Sequence, residues 1–283
     1  MTSTSEERSL EGRTLIISGG SRGIGEAIAV RAAHEGANIA LIAKTTVPHP
    51  KLPGTIYTAA AAIEKAGGHA LPVVGDIRDD ESVCAAVTQT VEQFGGIDVV
   101  INNASALDLT PSETISMKKY DLMQDVNARG AFVLTKTAIP YLRRSANAHV
   151  LTLSPPIDLD PKWFTSIGAA YTISKFSMSL VTIGLAAELS SDAIAVNSLW
   201  PRTTIATSAV RNILNEDLIS RSRSPEIVAD AALSIITKPA QLATGQCFID
   251  DEVLAADGVL DLSNYQLAPG SPDLELDFWM DWD

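Results

Sequence analysis

The sequence predicts an α/β protein with a doubly wound parallel sheet of about seven strands in a three-layer αβα arrangement. Short apolar runs alternate with helix-like segments along the chain, which is the pattern of parallel strands joined by crossover helices. The composition, 46% hydrophobic and 19% charged, provides for a large buried core. No linker interrupts the pattern, so we expect residues 1–283 to form a single domain that ends in an acidic arm at about 261–283.

The predicted elements follow one another in a regular order. Apolar runs mark strands at residues 14–18, 38–43, 70–74, 97–101, 149–153, 193–199 and 246–249. Helical periodicity marks 23–35, 55–66, 79–94, 116–144 with a break near Asn127, and 169–189. Three prolines make 44–54 a loop, and a second loop is expected at 155–168.

Charge and composition exclude several classes of protein. The net charge is −13, and ten acids but no Lys or Arg follow Lys238, so the acidity belongs to the C-terminal segment. Nucleic acid is therefore not an expected partner. Two distant cysteines and four scattered histidines predict neither a disulfide framework nor a metal site. No membrane span or signal peptide is indicated, and we expect a cytoplasmic protein.

A glycine-rich turn separates the first strand from the first helix. Gly19, Gly23 and Gly25 have the spacing G-x-x-x-G-x-G. Glycine lets the backbone turn sharply and approach a pyrophosphate, and the following helix N-terminus offers free N–H groups to phosphate oxygens. A turn without a ligand is the simpler alternative, but the context predicts a Rossmann-type dinucleotide site. Its other expected contact residues in the loop are Ser21, Arg22 and Ile24.

The end of the second strand indicates which dinucleotide binds. An NAD site usually has an acid there that binds the ribose 2′-hydroxyl. No acid occurs between Glu35 and Glu64, and the strand runs instead into Lys44. A cation at this position favours the 2′-phosphate of NADP (NADPH), and Arg22 is expected to reach the same phosphate. The alternative is that both cations are solvated surface side chains.

Tyr171 and Lys175 lie four residues apart on the helix after the fifth strand, so they share one helix face. A phenol with a pKa of about 10 must exchange a proton near neutral pH to catalyse carbonyl reduction. A nearby ammonium can supply the roughly 4 kcal/mol that this shift requires. The pair therefore predicts an oxidoreductase in which Lys175 activates Tyr171 and both residues contact the cofactor, Lys175 at its ribose.

Together these motifs resemble the short-chain dehydrogenase/reductase family over about residues 10–269. The runs Asn102-Asn103-Ala104 and Asn197-Ser198-Leu199-Trp200-Pro201 add to the resemblance. It implies that Asp76 bonds the adenine amino group, that Asn103 and Ala104 form the adenine-side motif, that Asn127 holds a proton-relay water with Lys175, that Tyr171 is the catalytic acid/base, and that Pro201 precedes the segment contacting nicotinamide.

The sequence departs from the family pattern at two places. The substrate-binding serine is expected about 13 residues before the tyrosine, but Ser154 precedes Tyr171 by 17 residues and is followed by a proline. We assign the role to Ser154, with Thr152 or Ser166 as alternatives. Arg202 replaces the glycine that usually follows Pro201, so the nicotinamide loop is expected to be rearranged.

The substrate side of the predicted site is aromatic. Trp163, Phe164 and Trp200 map near the carboxyl ends of strands and predict a hydrophobic carbonyl or alcohol substrate, unless they are simple packing residues. The apolar helix from Phe176 onward predicts a homodimer or homotetramer. Two further functions remain open: a nucleotide-binding sensor or scaffold that has lost its chemistry, and an enoyl reductase, which the tyrosine–lysine spacing disfavours.

Overall fold

One parallel sheet organises the chain. The computed structural model describes residues 10–49, 52–214, 216–267 and 273–281. Within these residues, seven strands pair in the order β3-β2-β1-β4-β5-β6-β7. The strands are β1 (Thr14–Ser18), β2 (Asn38–Ala43), β3 (His69–Val74), β4 (Val99–Asn102), β5 (His149–Leu153), β6 (Ala195–Trp200) and β7 (Cys247–Ile249). The predicted Rossmann-type fold is confirmed.

Helices cover both faces of the sheet. They are α1 (Gly23–Ala33), α2 (Ile56–Lys65), α3 (Asp80–Phe94), α4 (Met117–Met123), α5 (Gly130–Leu142), α6 (Pro161–Ile167), α7 (Ala169–Glu188), α8 (Glu226–Thr237) and α9 (Asp250–Ala256). Helices α1, α2 and α8 enclose one core, and α3, α5 and α7 enclose the other. Strand side chains alternate between the two, since Leu15 and Ile17 join the first core and Ile16 joins the second.

Local signals set the ends of several helices. The Thr55 hydroxyl accepts the N–H of Thr58 at 3.1 Å, and Thr58 bonds back to Thr55, so α2 begins with a capping box. Asp79 caps α3 by accepting the N–H of Glu81. Gly95, with φ of 87°, ends the same helix in the left-handed conformation.

The structure corrects the sequence prediction in three regions. The expected loop at 155–168 contains α6, which Asp160 caps and Pro161 starts at its first position. The expected break near Asn127 is a π-helical segment, Gln124–Arg129, that joins α4 to α5 without interruption. Helices α8 and α9 were not predicted.

The strand order places the site. The sheet winds in opposite directions from β1, so the carboxyl ends of β1 and β4 meet at the point where the order reverses. The loops after β5 and β6 open on the same edge because all strands are parallel. The last described segment, 273–281, pairs with the loop after β6 through Thr203 and Leu276. No helix in the described residues is long and apolar enough to cross a membrane.

Candidate active site

A cavity of about 650 Å³ lies between the glycine loop and the ends of β2, β3 and β4. Gly19 has φ of 71°, and a Cβ on this residue would lie 2.8 Å from the Cα of Ala104. The Gly19 N–H donates to the Ile42 carbonyl at 2.9 Å. Glycine at this position therefore keeps the cavity floor open. The loop residues in the cavity wall are Gly19, Ser21, Arg22, Gly23 and Ile24.

Asn103 clamps the glycine loop to the end of β4. Its side-chain amide donates to the carbonyls of Ser18 and Gly19, each at 3.0 Å. The Ser18 hydroxyl accepts the N–H groups of Asn103 and Ala104 at 3.2 and 3.1 Å. A side chain at Gly25 would collide with the Asn103 amide. The predicted pair Asn103 and Ala104 thus shapes the cavity wall and lines it.

Charged groups surround the end of the cavity near β2 and β3. Lys44 Nζ lies 3.1 Å from the Asp76 carboxylate, and Arg78 lies 2.6 Å from it. Arg78 first, and Lys44 with it, holds the pKa of Asp76 well below its ordinary value. Arg22 donates to the carbonyls of Pro53 and Gly54 at 3.2 and 2.9 Å, so its guanidinium is turned to the following loop.

The cavity is chemically suited to a dinucleotide. Its size falls within the range of about 300–1,000 Å³ that is typical of ligand pockets. Free N–H groups at the start of α1 face it, and Lys44 stands at its rim. Among the described residues that line it, Asp76 is the one carboxylate, and two cations neutralise it. The negative charge of Asp76 is therefore balanced and should not repel the phosphates of a bound dinucleotide.

Tyr171 and Lys175 both lie buried on α7, 5% and 3% exposed. A hydrogen bond with the side chain of Ser105, a residue of the cavity wall, links the Tyr171 phenol to the cavity. Burial raises the pKa of Tyr171 above its ordinary value, and Asp277 raises it further. In this conformation the pKa of Tyr171 therefore moves opposite to the direction that the sequence predicted from Lys175, because burial raises it.

The Lys175 ammonium is enclosed by the core. Its Nζ donates to the Leu153 carbonyl at 2.8 Å and lies 5.0 Å from the centre of the Trp200 ring. Burial lowers the pKa of Lys175 to about 7, while Asp277 opposes that change. A lysine with this pKa can hold or release a proton at neutral pH.

Asn127 links the loop after β4 to helix α7. It is fully buried in the π-helical segment. Its carbonyl oxygen accepts the Ala106 N–H at 2.7 Å, and its amide donates to the Ala106 carbonyl at 3.0 Å and to the Ser174 hydroxyl at 2.9 Å. Asn127 therefore fixes the loop after β4 against α7, one residue from Lys175.

The candidates for the substrate serine differ in their surroundings. The Ser154 hydroxyl is buried and has no hydrogen-bond partner among the described residues. Thr152 accepts a bond from Asn102 at 3.4 Å, and Ser166 is exposed on α6 and bonds to the Lys162 carbonyl. An unpaired hydroxyl is the one best able to accept a new partner, so Ser154 keeps the role as a proposal. Ser105 is a second hydroxyl beside Tyr171, and sequence reasoning gave it no role.

Arg202, at the position where the family has glycine, belongs to an ion-pair cluster. Its backbone N–H donates to Asp250 at 2.9 Å. Its guanidinium lies 2.8 Å from Asp251 and also pairs with Glu252. Pro201 is buried just before it. Three of the ten C-terminal acids thus hold the loop after β6: Asp250 and Asp251 are largely buried there, and Glu252 pairs with Arg202 from the surface.

The segment 273–281 completes the site. Trp279 is 3% exposed, and its ring centre lies 6.0 Å from Tyr171, 5.5 Å from Phe176 and 5.7 Å from Trp200. In the sequence, the apolar bulk of Phe278, Trp279, Met280 and Trp282 favours docking of the arm over a frayed, solvated end, and Trp282 lies outside the described residues. The sequence did not predict contact with Tyr171, because no pattern connects positions so far apart in the chain.

The buried carboxyl group of Asp277 should make the stability of the fold depend on pH. Burial raises its pKa from 3.8 to about 7, with Lys175 opposing and Asp250 reinforcing the change. The folded state then binds this proton more tightly than the unfolded state, so stability falls as pH rises through this window. We expect Asp277→Asn to raise the melting temperature at pH 8 by several degrees and to have little effect at pH 3.5. A lower melting temperature at pH 8 would show that the electrostatic attraction of Asp277 to Lys175 outweighs the cost of burial.

Comparison with known proteins assigns the class. Residues 13–217 match the family model described as short chain dehydrogenase, so the chain belongs to the short-chain dehydrogenase family. Members of this family are oxidoreductases that use a nicotinamide cofactor.

Several relatives are similar to nearly the whole of this chain. The chain is 50% identical over 272 residues to hydroxysteroid dehydrogenase-like protein 2 of Xenopus laevis, covering 96% of this chain and 64% of that protein. The chain spans less than two thirds of the length of the relatives of that name, from 51% to 65%. A solved short chain dehydrogenase from Mycobacterium thermoresistibile is 52% identical with a TM-score of 0.91, and the match covers 96% of each chain. A solved structure from Xanthomonas campestris is 50% identical with a TM-score of 0.93, covering 97% of this chain and all of that one.

Proposed function

We propose that this chain is an NADP(H)-dependent oxidoreductase that interconverts a carbonyl and an alcohol on a hydrophobic substrate. The observation that carries the proposal is the buried pair Tyr171 and Lys175 on α7, linked through Ser105 to the cavity beside the glycine loop. When bound there, the dinucleotide supplies or accepts a hydride. The residues of the chain bind it, orient the substrate and move the proton.

Tyr171 is the proton donor or acceptor at the substrate oxygen in this proposal. Its pKa must fall from the raised value of the buried state. The ammonium of Lys175, four residues along α7, is proposed to lower it once the phenol is brought beside it. Ser154, with its unpaired hydroxyl, is proposed to donate a hydrogen bond to the same substrate oxygen. Asn127 is proposed to hold a water that returns the proton through Lys175.

The choice of NADP rests on the rim of the cavity near β2. The Lys44 side chain is 58% exposed and pairs with Asp76 at 3.1 Å. Because an exposed ion pair of this kind contributes little, the ammonium can exchange Asp76 for an incoming phosphate. The Arg22 guanidinium donates hydrogen bonds to the carbonyls of Pro53 and Gly54, in the loop before α2. Arg22 would have to break both bonds to reach a phosphate. Lys44 is therefore the main expected ligand of the 2′-phosphate, and Asp76 is proposed to bond the adenine amino group.

Replacing Lys44 tests the choice of cofactor. We expect Lys44→Ala to weaken NADPH binding about tenfold, the value of one charge-assisted hydrogen bond, and to leave NADH binding unchanged. Fluorescence titration of both nucleotides measures this, with Lys65→Ala as the control, since Lys65 is an exposed lysine at the end of α2 outside the cavity. Preference of the unmodified protein for NADH, or equal losses for both nucleotides, would contradict the proposal.

An oligomer is part of the proposal. Helix α7 exposes Ile173, Leu180 and Ile183 by 44%, 60% and 50%, and Phe132 on α5 is 41% exposed. Apolar side chains this exposed on neighbouring helices fit contact with a second copy of the chain. A homodimer or homotetramer is the expected assembly.

A nucleotide-binding sensor or scaffold is the second candidate. The observation that favours it is the enclosure of Tyr171 by the arm, which leaves the phenol 5% exposed. A sensor needs the cavity but not the phenol. The effect of Tyr171→Phe on turnover distinguishes the two functions.

A further inference from the structure

The segment 273–281, called the strap below, is fastened along the loop after β6. Backbone bonds of 2.9 Å run from Thr204 N–H to the Glu275 carbonyl and from Asp277 N–H to the Arg202 carbonyl. The indole N–H of Trp200 donates to the Phe278 carbonyl at 2.9 Å. This loop follows Pro201 and borders the catalytic pair, so the strap lies across the substrate side of the site.

Two exposed ion pairs hold the ends of the strap. Arg221 pairs with Glu275 at 2.6 Å, and Lys162 on α6 pairs with Asp281 at 3.0 Å. The four side chains are between 39% and 66% exposed. Exposed pairs of this kind contribute little each, about 0–1 kcal/mol. The strap is therefore bound at both ends by contacts that can break and re-form.

Trp279 fills the space next to the catalytic phenol. Its indole packs against Tyr171, Phe176 and Trp200. These three residues, with Ile167 and Ile249, form an apolar cluster at the carboxyl edge of the sheet. A substrate oxygen that accepts a proton from Tyr171 must come within hydrogen-bond distance of the phenol, and the body of that substrate must lie where the indole now packs.

The closed strap carries two local costs. Trp279 has φ of 62°, in the left-handed region that bulky residues rarely adopt. Its buried indole N–H has no hydrogen-bond partner among the described residues. An indole that leaves the cluster can donate its N–H to water, and the backbone at Trp279 is then no longer held in this conformation by the packing of the ring. The unpaired Ser154 hydroxyl lies buried in the same part of the molecule, after β5, and also lacks a partner in the closed state.

We propose that the strap is a closing element of the active site, in which Trp279 occupies the place of the apolar part of the substrate and must leave before the substrate can reach Tyr171. The substrate this space accepts is apolar and about as wide as a fused ring, with its polar atom at the Tyr171 end. The position of the substrate rests on the proposed function. The closure of the strap over Tyr171 does not.

Nitration of tyrosine by tetranitromethane tests the closure without an enzyme assay. The reagent is applied to the full chain at pH 8, and the rate at each tyrosine is measured by mass spectrometry. Tyr57, which is 53% exposed on α2, is the internal reference. We expect Tyr171 to be nitrated far more slowly than Tyr57 in the unmodified protein. Trp279→Ala should raise the nitration rate at Tyr171 at least about tenfold and leave the rate at Tyr57 unchanged. The variant lacks the indole contacts that stabilise the closed strap, so the strap opens more often.

A surface variant separates opening of the strap from damage to the core. Lys162→Ala combined with Arg221→Ala removes both end pairs and leaves every aromatic residue in place. We expect a rise of about two- to tenfold at Tyr171. Lys238→Ala is the matched control, since it removes an ion pair of Lys238 with Asp257 that lies away from the strap. Fast nitration of Tyr171 in the unmodified protein, or no rise in either strap variant, overturns the proposal. An equal rise at all tyrosines would mean general loosening and also overturns it.

The remaining outcomes distinguish the strap from the proposed function. In Trp279→Ala, 2-decanone should slow nitration of Tyr171 if the vacated space accepts an apolar carbonyl compound. Failure to do so overturns the assignment of that space to the substrate. NADPH titration of the same proteins tests the function separately. A protected Tyr171 with no nucleotide binding in any variant would leave the strap in place and refute the oxidoreductase.

Discussion

Replacing Tyr171 with phenylalanine should lower turnover by about 10²–10⁴-fold, the usual contribution of a positioned acid or base. The change removes one hydroxyl, whose bond within the described residues is to the side chain of Ser105. The ring and its contacts with Phe278 and Trp279 remain, so the fold should be retained. Cofactor affinity should also be retained, because Tyr171 is not among the residues that line the cavity.

The assay follows NADPH oxidation with a panel of hydrophobic aldehydes and ketones, alongside a fluorescence titration of NADPH. Tyr57→Phe is the control, since it makes the same chemical change at an exposed position on α2. If Tyr171→Phe turns over as fast as the unmodified protein, Tyr171 is not the acid, and the sensor or scaffold becomes the better explanation.

Gly19→Ala should both destabilise the protein and abolish most nucleotide binding. The residue has φ of 71°, where an alanine costs about 1–2 kcal/mol. The new Cβ would also lie 2.8 Å from the Ala104 backbone and 3.0 Å from the Asn103 amide. Overpacking of this kind adds about 1–3 kcal/mol. Because Asn103 and Ala104 form the cavity wall, we expect NADPH affinity to fall by more than about 100-fold, which corresponds to about 3 kcal/mol.

Gly12 provides a close control for this change. It has φ of 72°, yet nothing lies within 4 Å of the Cβ that an alanine would add. Gly12→Ala should therefore show the backbone cost alone, with nucleotide affinity unchanged. Chemical denaturation and NADPH titration of the two variants measure the difference. Equal effects on stability and affinity would mean that the contact with Ala104 is unimportant and that the cavity does not depend on it.

The strands were predictable where a short run of residues is buried throughout. Strands β1, β2 and β5 were predicted with their observed bounds, because short runs such as Thr14–Ser18 have an apolar centre and lie next to clear turn residues. Helix α8 was missed because it is buried on nearly all sides, from Ile227 to Ile236, and so presents no polar face that would reveal helical periodicity. Helix α6 is short, and its start at Asp160-Pro161 is equally compatible with a turn.

The site was predictable only in part. The glycine loop and the Tyr171–Lys175 pair are local patterns, and the structure brings both to the same edge of the sheet. The environments of these groups depend on distant residues. The pKa of Tyr171 is raised by burial under the strap and by Asp277, which lies more than 100 residues further along the chain. Such tertiary contacts leave no periodic signal in a single sequence.

The position of the strap in the chain has a consequence for synthesis. Every residue that lines the dinucleotide cavity lies before position 213, whereas the strap begins at 273. During translation, which adds about 5–20 residues per second, the cavity segments leave the ribosome several seconds before the strap. The nucleotide can therefore bind a nascent chain while the substrate side is still uncovered.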